Sequence, residues 1–255
     1  MGASYTEYYL QLVNKRTGMA INDDSGVANV LTVNSPAEVT IYADDMGTAA
    51  SNPLTMTDGK IRFFTVASVT SVDVSILTAA GQAIFVEGLT SSQHRIDVDT
   101  ETRSQLLIVP FLFLAGGTVV DTGFNIPAKC RIDPFRLGLR VTTADAGETI
   151  DVGLLASEAG GDEDGFIVAA SLANSGYINL IPQITGGTNI DYVSTNYVGL
   201  LLATTIAGAD AVATVGGWSP KCNYVTDGTA TSLTYTPSSS DTAAGYILIG
   251  YDLLP

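Results

Sequence analysis

Alternation of apolar and polar residues with a period of two, cut by a turn signal about every ten residues, most constrains what this chain can fold into. Phe135, Leu137, Leu139 and Val141 alternate with Arg136, Gly138, Arg140 and Thr142. Ile150, Val152 and Leu154 share one side of the next such run, and Tyr246, Leu248, Gly250 and Asp252 oppose Ile247, Ile249, Tyr251 and Leu253. Such a run is a half-buried strand with a wet face and a dry one. No segment of a dozen residues carries the helical period, and the alanine runs near Ala49, Ala79 and Ala243 are broken by Gly, Ser or Thr. The sequence therefore predicts an all-β chain.

The strand signals fall into two groups. The first opens with an aromatic segment, Tyr5, Tyr8, Tyr9 and Leu10, read as an arm ahead of the first turn at Asn14 to Gly18. Val27 to Val33, Ser71 to Leu77 and Gln82 to Val86 follow as strands. Between them, Asp58-Gly59 flanked by Met56 and Ile61 is the strongest short hairpin signal in the chain. From Thr90 to Gln105 the residues become polar, as in a linker or a last edge strand, which sets a boundary near 100. The expected organisation is a small antiparallel β-sandwich over 1–100 and a larger jelly-roll-like β-sandwich over 101–255. The apolar run Leu106 to Leu114 is too short for a membrane helix and has Pro110 in its middle, so it reads as a buried strand or an interface.

Charge narrows the partners. With 11 Lys and Arg against 26 Asp and Glu, the formal charge is −15, which repels phosphate and argues against nucleic acid and anionic membranes as partners. Lys129, Arg131, Arg136 and Arg140 concentrate basic residues in one short stretch. They read either as an exposed strand face or as a contact with an acidic partner subunit. The start of the chain has neither the basic nor the apolar region of a signal peptide, so secretion by that route is not expected.

Catalytic chemistry is not apparent. His94 is the one histidine, no Gly-x-Ser-x-Gly elbow accompanies it, and no phosphate-binding glycine loop occurs. Cys130 and Cys222 read as two buried, reduced thiols, with a disulfide as the other option. Asp162, Glu163 and Asp164, or Asp97, Asp99 and Glu101, could offer hard oxygens to calcium, but neither set has EF-hand spacing, and a solvated acidic loop is the simpler reading. No enzyme, cofactor or metal is expected.

One resemblance adds to this. The stretch Ile-Tyr-Ala-Asp-Asp-Met-Gly-Thr at 41–48, then Asn52-Pro53, then Thr57-Asp58-Gly59 ahead of Phe63 and Phe64, resembles a small β-sandwich module of bacteriophage virion proteins. That family consists of fibre, decoration and cement components. The resemblance implies a non-enzymatic phage capsid cement or decoration protein that binds the major capsid protein lattice as a homotrimer. Its location would be the capsid surface of the virion, after synthesis in the host cytoplasm. Tyr5, Tyr8 and Tyr9 would then face the capsid, in an arm whose removal leaves the rest folded, and Phe111 and Phe113 would help join protomers unless they are ordinary core. The alternative is a head or tail fibre that binds host-surface carbohydrate, with Tyr192, Tyr197, Trp218 and Tyr224 as stacking residues.

Overall fold

The computed structural model describes residues 4–100, 102–113, 116–158, 161–179, 184–185, 191–192, 203–205, 218–220, 225–226, 229–239 and 242–254. For 134, 135, 179 and the short strands between 184 and 220 only the backbone is described. Every regular element among these residues is a strand, so the all-β expectation holds. The chain divides into two compact units, Met1–Ile108 and Val109–Pro255.

The N-terminal unit contains β1 (Tyr5–Asn14), β2 (Val27–Thr32), β3 (Leu54–Thr55), β4 (Lys60–Val66), β5 (Ser71–Leu77), β6 (Ala83–Thr90) and β7 (Gln93–Val98). One sheet has the order β4-β1-β7 and the other β3-β2-β5-β6. Tyr8, Leu10 and Leu12 from β1, with Ile61 and Phe63 from β4, share one core with Ala28 and Val30 from β2 and Val72, Val74 and Ile76 from β5. Two sheets closing on one apolar layer make this unit a β-sandwich.

The hairpin signal is realised as a tight turn, but its flanking strands part, β3 joining one sheet and β4 the other. Asp58 (φ 51°) and Gly59 (φ 65°) are both left-handed, and Thr57 pairs with Lys60 across them. Two successive left-handed residues are the backbone of a type I′ turn. One pairing departs from the antiparallel expectation: β7 runs parallel to β1, with Leu10 opposite His94 and Leu12 opposite Ile96. Only two residues, Ser91 and Ser92, separate β6 from β7, and the chain changes sheets there.

The division between units falls inside β8 (Ser104–Leu112), beyond the expected boundary near 100. The first half of β8 is tied to the N-terminal unit. Ser75 Oγ donates to the Ile108 carbonyl at 2.6 Å, and the Ala83 N–H donates to Gln105 Oε1 at 3.0 Å.

The C-terminal unit continues with β9 (Val120–Ile126), β10 (Cys130–Thr143), β11 (Thr149–Leu154), β12 (Asp162–Ser171) and β13 (Gly176–Asn179). The short strands β14 (Ile184–Thr185), β15 (Asp191–Tyr192), β16 (Ala203–Thr205) and β17 (Trp218–Pro220) come next, and β18 (Thr231–Pro237) and β19 (Ala244–Leu253) close the chain. Its two large sheets have the orders β13-β10-β19-β8 and β12-β11-β18-β9. Leaving out β14 to β17, the eight strands pair first with eighth, second with seventh, third with sixth and fourth with fifth. The predicted alternation decides which side faces in. Leu137, Leu139, Val141, Ile247, Ile249 and Tyr251 are buried on one sheet, and Ile150, Val152, Leu154, Phe124 and Leu233 on the other.

Candidate functional site

The aromatic N-terminal segment is not an arm. It is β1, the central strand of its sheet, bonded to β4 on one side and β7 on the other. Alternation along β1 then separates the three expected capsid-facing tyrosines. Tyr8 points inward, fully buried, stacked on Phe63 with ring centroids 5.0 Å apart, and its hydroxyl donates to the Val69 carbonyl at 3.1 Å. Burial pushes its phenol above the ordinary range. Tyr8 is therefore core and is withdrawn as a docking residue. Tyr5 and Tyr9 are half-buried on the outer side of the same strand.

That outer side forms a surface. Tyr5 meets Tyr42 edge to face at 4.8 Å. Beside Glu7, Arg62 ion-pairs with it at 2.6 Å and holds its guanidinium 5.1 Å from the Phe64 ring centre. Cross-strand partners place Glu7 opposite Phe64 and Tyr9 opposite Arg62. The result is a strand face on which half-buried Tyr5, Tyr9 and Tyr42 and exposed Arg62 are reachable, with Phe64 buried beneath the arginine, and tyrosine and arginine are enriched where proteins meet proteins.

Phe111 and Phe113 are buried, their rings 6.1 Å apart, with Phe111 6.3 Å from Tyr235. The Tyr235 hydroxyl donates to the Leu112 carbonyl at 3.0 Å. Both phenylalanines are core of their own unit, the simpler of their two readings, and are withdrawn as interface residues.

The remaining candidates resolve in turn. A ring nitrogen of His94, on β7, lies 2.7 Å from Ser92 Oγ and 2.8 Å from the Thr90 carbonyl, and neither of these partners is a carboxylate. Cys130 carries a free thiol in the core; burial pushes it up to about 11, so the reactive thiolate is scarce at neutral pH. Cys222, Tyr197 and Tyr224 lie outside the described residues, and of Tyr192 and Trp218 only the backbone is described. Asp97 is paired with Arg95 at 2.9 Å.

Asp162, Glu163 and Asp164 do not sit in a loop. They open β12 and, with Asp151, Ala156, Gly161 and Thr236, line a depression of about 400 Å³. Desolvation raises the Asp162 carboxyl above its usual range, and its neighbours Asp164 and Glu163 push the same way. Among the described residues no group of three or more His, Cys, Asp or Glu is arranged to hold a metal. Nor is any helix among them long and apolar enough to cross a membrane.

Sequence reasoning missed the polar residues that build the N-terminal loops. The Asp23 carboxylate accepts from the N–H groups of Ser25, Gly26 and Ala79. Asn52 accepts from Val30 N–H and donates to the carbonyls of Val30 and Val39, taking the place of a strand. The signal for Asp23 was present in Asp23-Asp24-Ser25-Gly26, a composition typical of side-chain-closed turns. Comparison with known proteins adds no relative: no family model, no curated protein and no solved structure matches this chain.

Proposed function

We propose that this chain is a non-enzymatic structural protein of a bacteriophage particle, a cement or decoration protein that lies on the major capsid protein lattice as a homotrimer. In this reading the second unit is a jelly roll. Nested pairing of first with eighth through fourth with fifth strand is what rolling up one long antiparallel ribbon produces.

The observation that carries the reading is how the phage-like stretch is used. Asp44 accepts from the N–H groups of Met46 and Thr48, Asn52 stands in for a strand, and Asp58-Gly59 makes the tight turn that carries the chain from one sheet to the other. These motif residues are engaged in turns and backbone bonding of their own module, as expected of a part whose work is mechanical. A cement acts by burying modest areas on several subunits at once, so that weak contacts add. The outer face of β4-β1-β7, with Tyr5, Tyr9 and Arg62, is the docking surface in this proposal.

The test is occupancy of purified phage heads lacking the protein, with a reconstruction of the decorated particle. Tyr9→Ala with Arg62→Glu should lower occupancy at least tenfold while the melting profile stays that of a folded protein. Regular surface density on heads supports cement. Absence from heads together with binding on a glycan array would replace this reading with a carbohydrate-binding fibre.

A further inference from the structure

The C-terminal unit has two unlike outer faces. On the β13-β10-β19-β8 sheet, register places Arg140 between Tyr177 and Tyr246, its guanidinium 5.8 and 5.7 Å from their ring centres. Arg136 lies along Gly250, where any side chain would strike it. Asp252 pairs with Arg131 and lies 3.9 Å from Arg136, gathering the two arginines at one end of the face. Val225 bridges to Arg131 at that end, and Leu254 lies just past the end of β19. Tyr177, Val225 and Leu254 are 73%, 42% and 41% exposed, and they are the large exposed apolar side chains among the described residues of this unit.

The opposite sheet, β12-β11-β18-β9, carries none of this. Asp151 on β11 lines the depression with Asp162, Glu163 and Asp164, Asp121 is exposed on the edge strand β9, and no lysine or arginine lies on the strands of this sheet. One sandwich therefore has an arginine-and-aromatic face and a carboxylate face.

We propose that the outer face of β13-β10-β19-β8 is where this chain joins a second copy of itself, and that its occupant is the carboxylate face of that copy's β12-β11-β18-β9 sheet. Two chains of charge −15 repel each other in most orientations. Setting the basic face of one unit against the acidic face of the next reverses the sign locally and fixes the register. Arginine and tyrosine among exposed apolar side chains are the residues that most often anchor interfaces. Because the two faces differ, the contact is head to tail, and such contacts form rings when the rotation closes, a trimer among them. The inference rests on the homo-oligomer part of the proposed function and names the surfaces that make it.

The experiment uses the full chain, with native mass spectrometry and sedimentation at low and high salt. One variant spoils the basic face (Arg140→Glu with Tyr177→Ala), and another spoils the acidic face (Asp162→Lys with Asp164→Lys). Each alone should be monomeric, with the dissociation constant raised at least tenfold, and an equimolar mixture should form a one-to-one pair from the two intact faces. Wild-type assembly should weaken as salt rises, since screening lengths fall to a few ångströms near 1 M. Should the arginine variant not fold, Tyr177→Asp at its exposed position serves instead. A wild-type oligomer indifferent to both variants overturns the assigned surfaces and leaves the homo-oligomer reading standing. Dissociation by the basic-face variant alone overturns the acidic occupant, because that face would then join its own kind. A wild-type chain that stays monomeric at every concentration and salt overturns the inference and the homo-oligomer reading together.

Discussion

The two sandwiches close by different means. In the N-terminal unit the loops are pinned by single polar side chains taken out of water. Asp23 and Asp73 are only 5% and 2% exposed, and Asp73 accepts from Asn34 N–H and Gly88 N–H as Asp23 does from its three donors. Asn52 completes strand-like bonding for β2. The C-terminal unit has such ties too, Thr226 accepting from Cys130 N–H and Glu158 from Ser232 N–H, but its long nested ladders, such as β10 against β19 paired from Cys130 with Leu253 to Thr143 with Ala244, share the load. Concentrated latches make a fold sensitive to one residue, whereas distributed ladders spread the same load over many bonds.

The largest effect should come from removing the middle strand of the latched unit. Deleting residues 1–10 takes Tyr8 and Leu10 from the core and leaves β4 and β7 without most of their common partner. The N-terminal unit should unfold, seen as rapid proteolysis within 1–108 and loss of the Tyr8 and Phe63 contribution to near-ultraviolet circular dichroism. A deletion that leaves proteolysis unchanged would restore the segment to the status of an arm.

A paired substitution probes the comparison directly. Asn52→Ala leaves the Val30 N–H and two carbonyls without their side-chain partner, and should cost about 2–4 kcal/mol in denaturant unfolding. In the other unit, fully buried Thr234 makes one long bond, 3.4 Å to the Gly153 carbonyl, and Thr234→Val should cost less than about 1 kcal/mol. Equal losses would show that both units rely on latches.

How much was legible follows from the same contrast. β10, β11 and β19 could be read because one face is dry and the other wet, so alternation marks their extent and their inward residues. The extent of β5 was legible too, but its second face was not: Asp73 and Ser75 alternate as if solvated and are nonetheless buried. A buried carboxylate with backbone donors looks like a surface one in sequence, because its donors lie far along the chain. Tyr8 was misread for a related reason, since aromatic density near a terminus does not say which neighbours a strand will find, and the parallel partner β7 lies far along the sequence. The basic face shows the limit from the other side. Three of its arginines stand on one readable strand, whereas Tyr177 and Tyr246 join Arg140 only through register.

Gly59→Ala tests the turn, whose place was legible although the parting of its flanking strands into two sheets was not. Gly59 has φ 65°, and an added Cβ would meet the Ile21 carbonyl oxygen, which the backbone holds in place. The left-handed conformation alone costs a non-glycine residue about 1–2 kcal/mol, and the clash adds to it. Thermal melting should fall for the N-terminal transition and stay unchanged for the C-terminal one.

The smallest effect separates the units by sign. Bonds from Thr48, Met46 and Gly47 hold the Asp44 carboxyl below its usual 3.8, so the folded protein binds that proton less tightly than the unfolded chain. Its stabilisation is present above the ordinary aspartate range and fades as pH falls through the lowered value. Asp162 does the reverse. Desolvation, and then Asp164 and Glu163, raise it above 3.8, so the folded protein holds that proton more tightly. The associated stability is complete below the ordinary range and is lost as pH rises through the raised value, leaving a strained carboxylate at neutral pH. Asp162→Asn should therefore raise the melting temperature slightly near pH 7 and forfeit that advantage near pH 3, whereas Asp44→Asn should lower it near pH 7 and converge on wild type under acid. Melts of both variants across that range check it, and parallel curves for Asp162→Asn and wild type would remove the crowding of carboxylates from the account of this face.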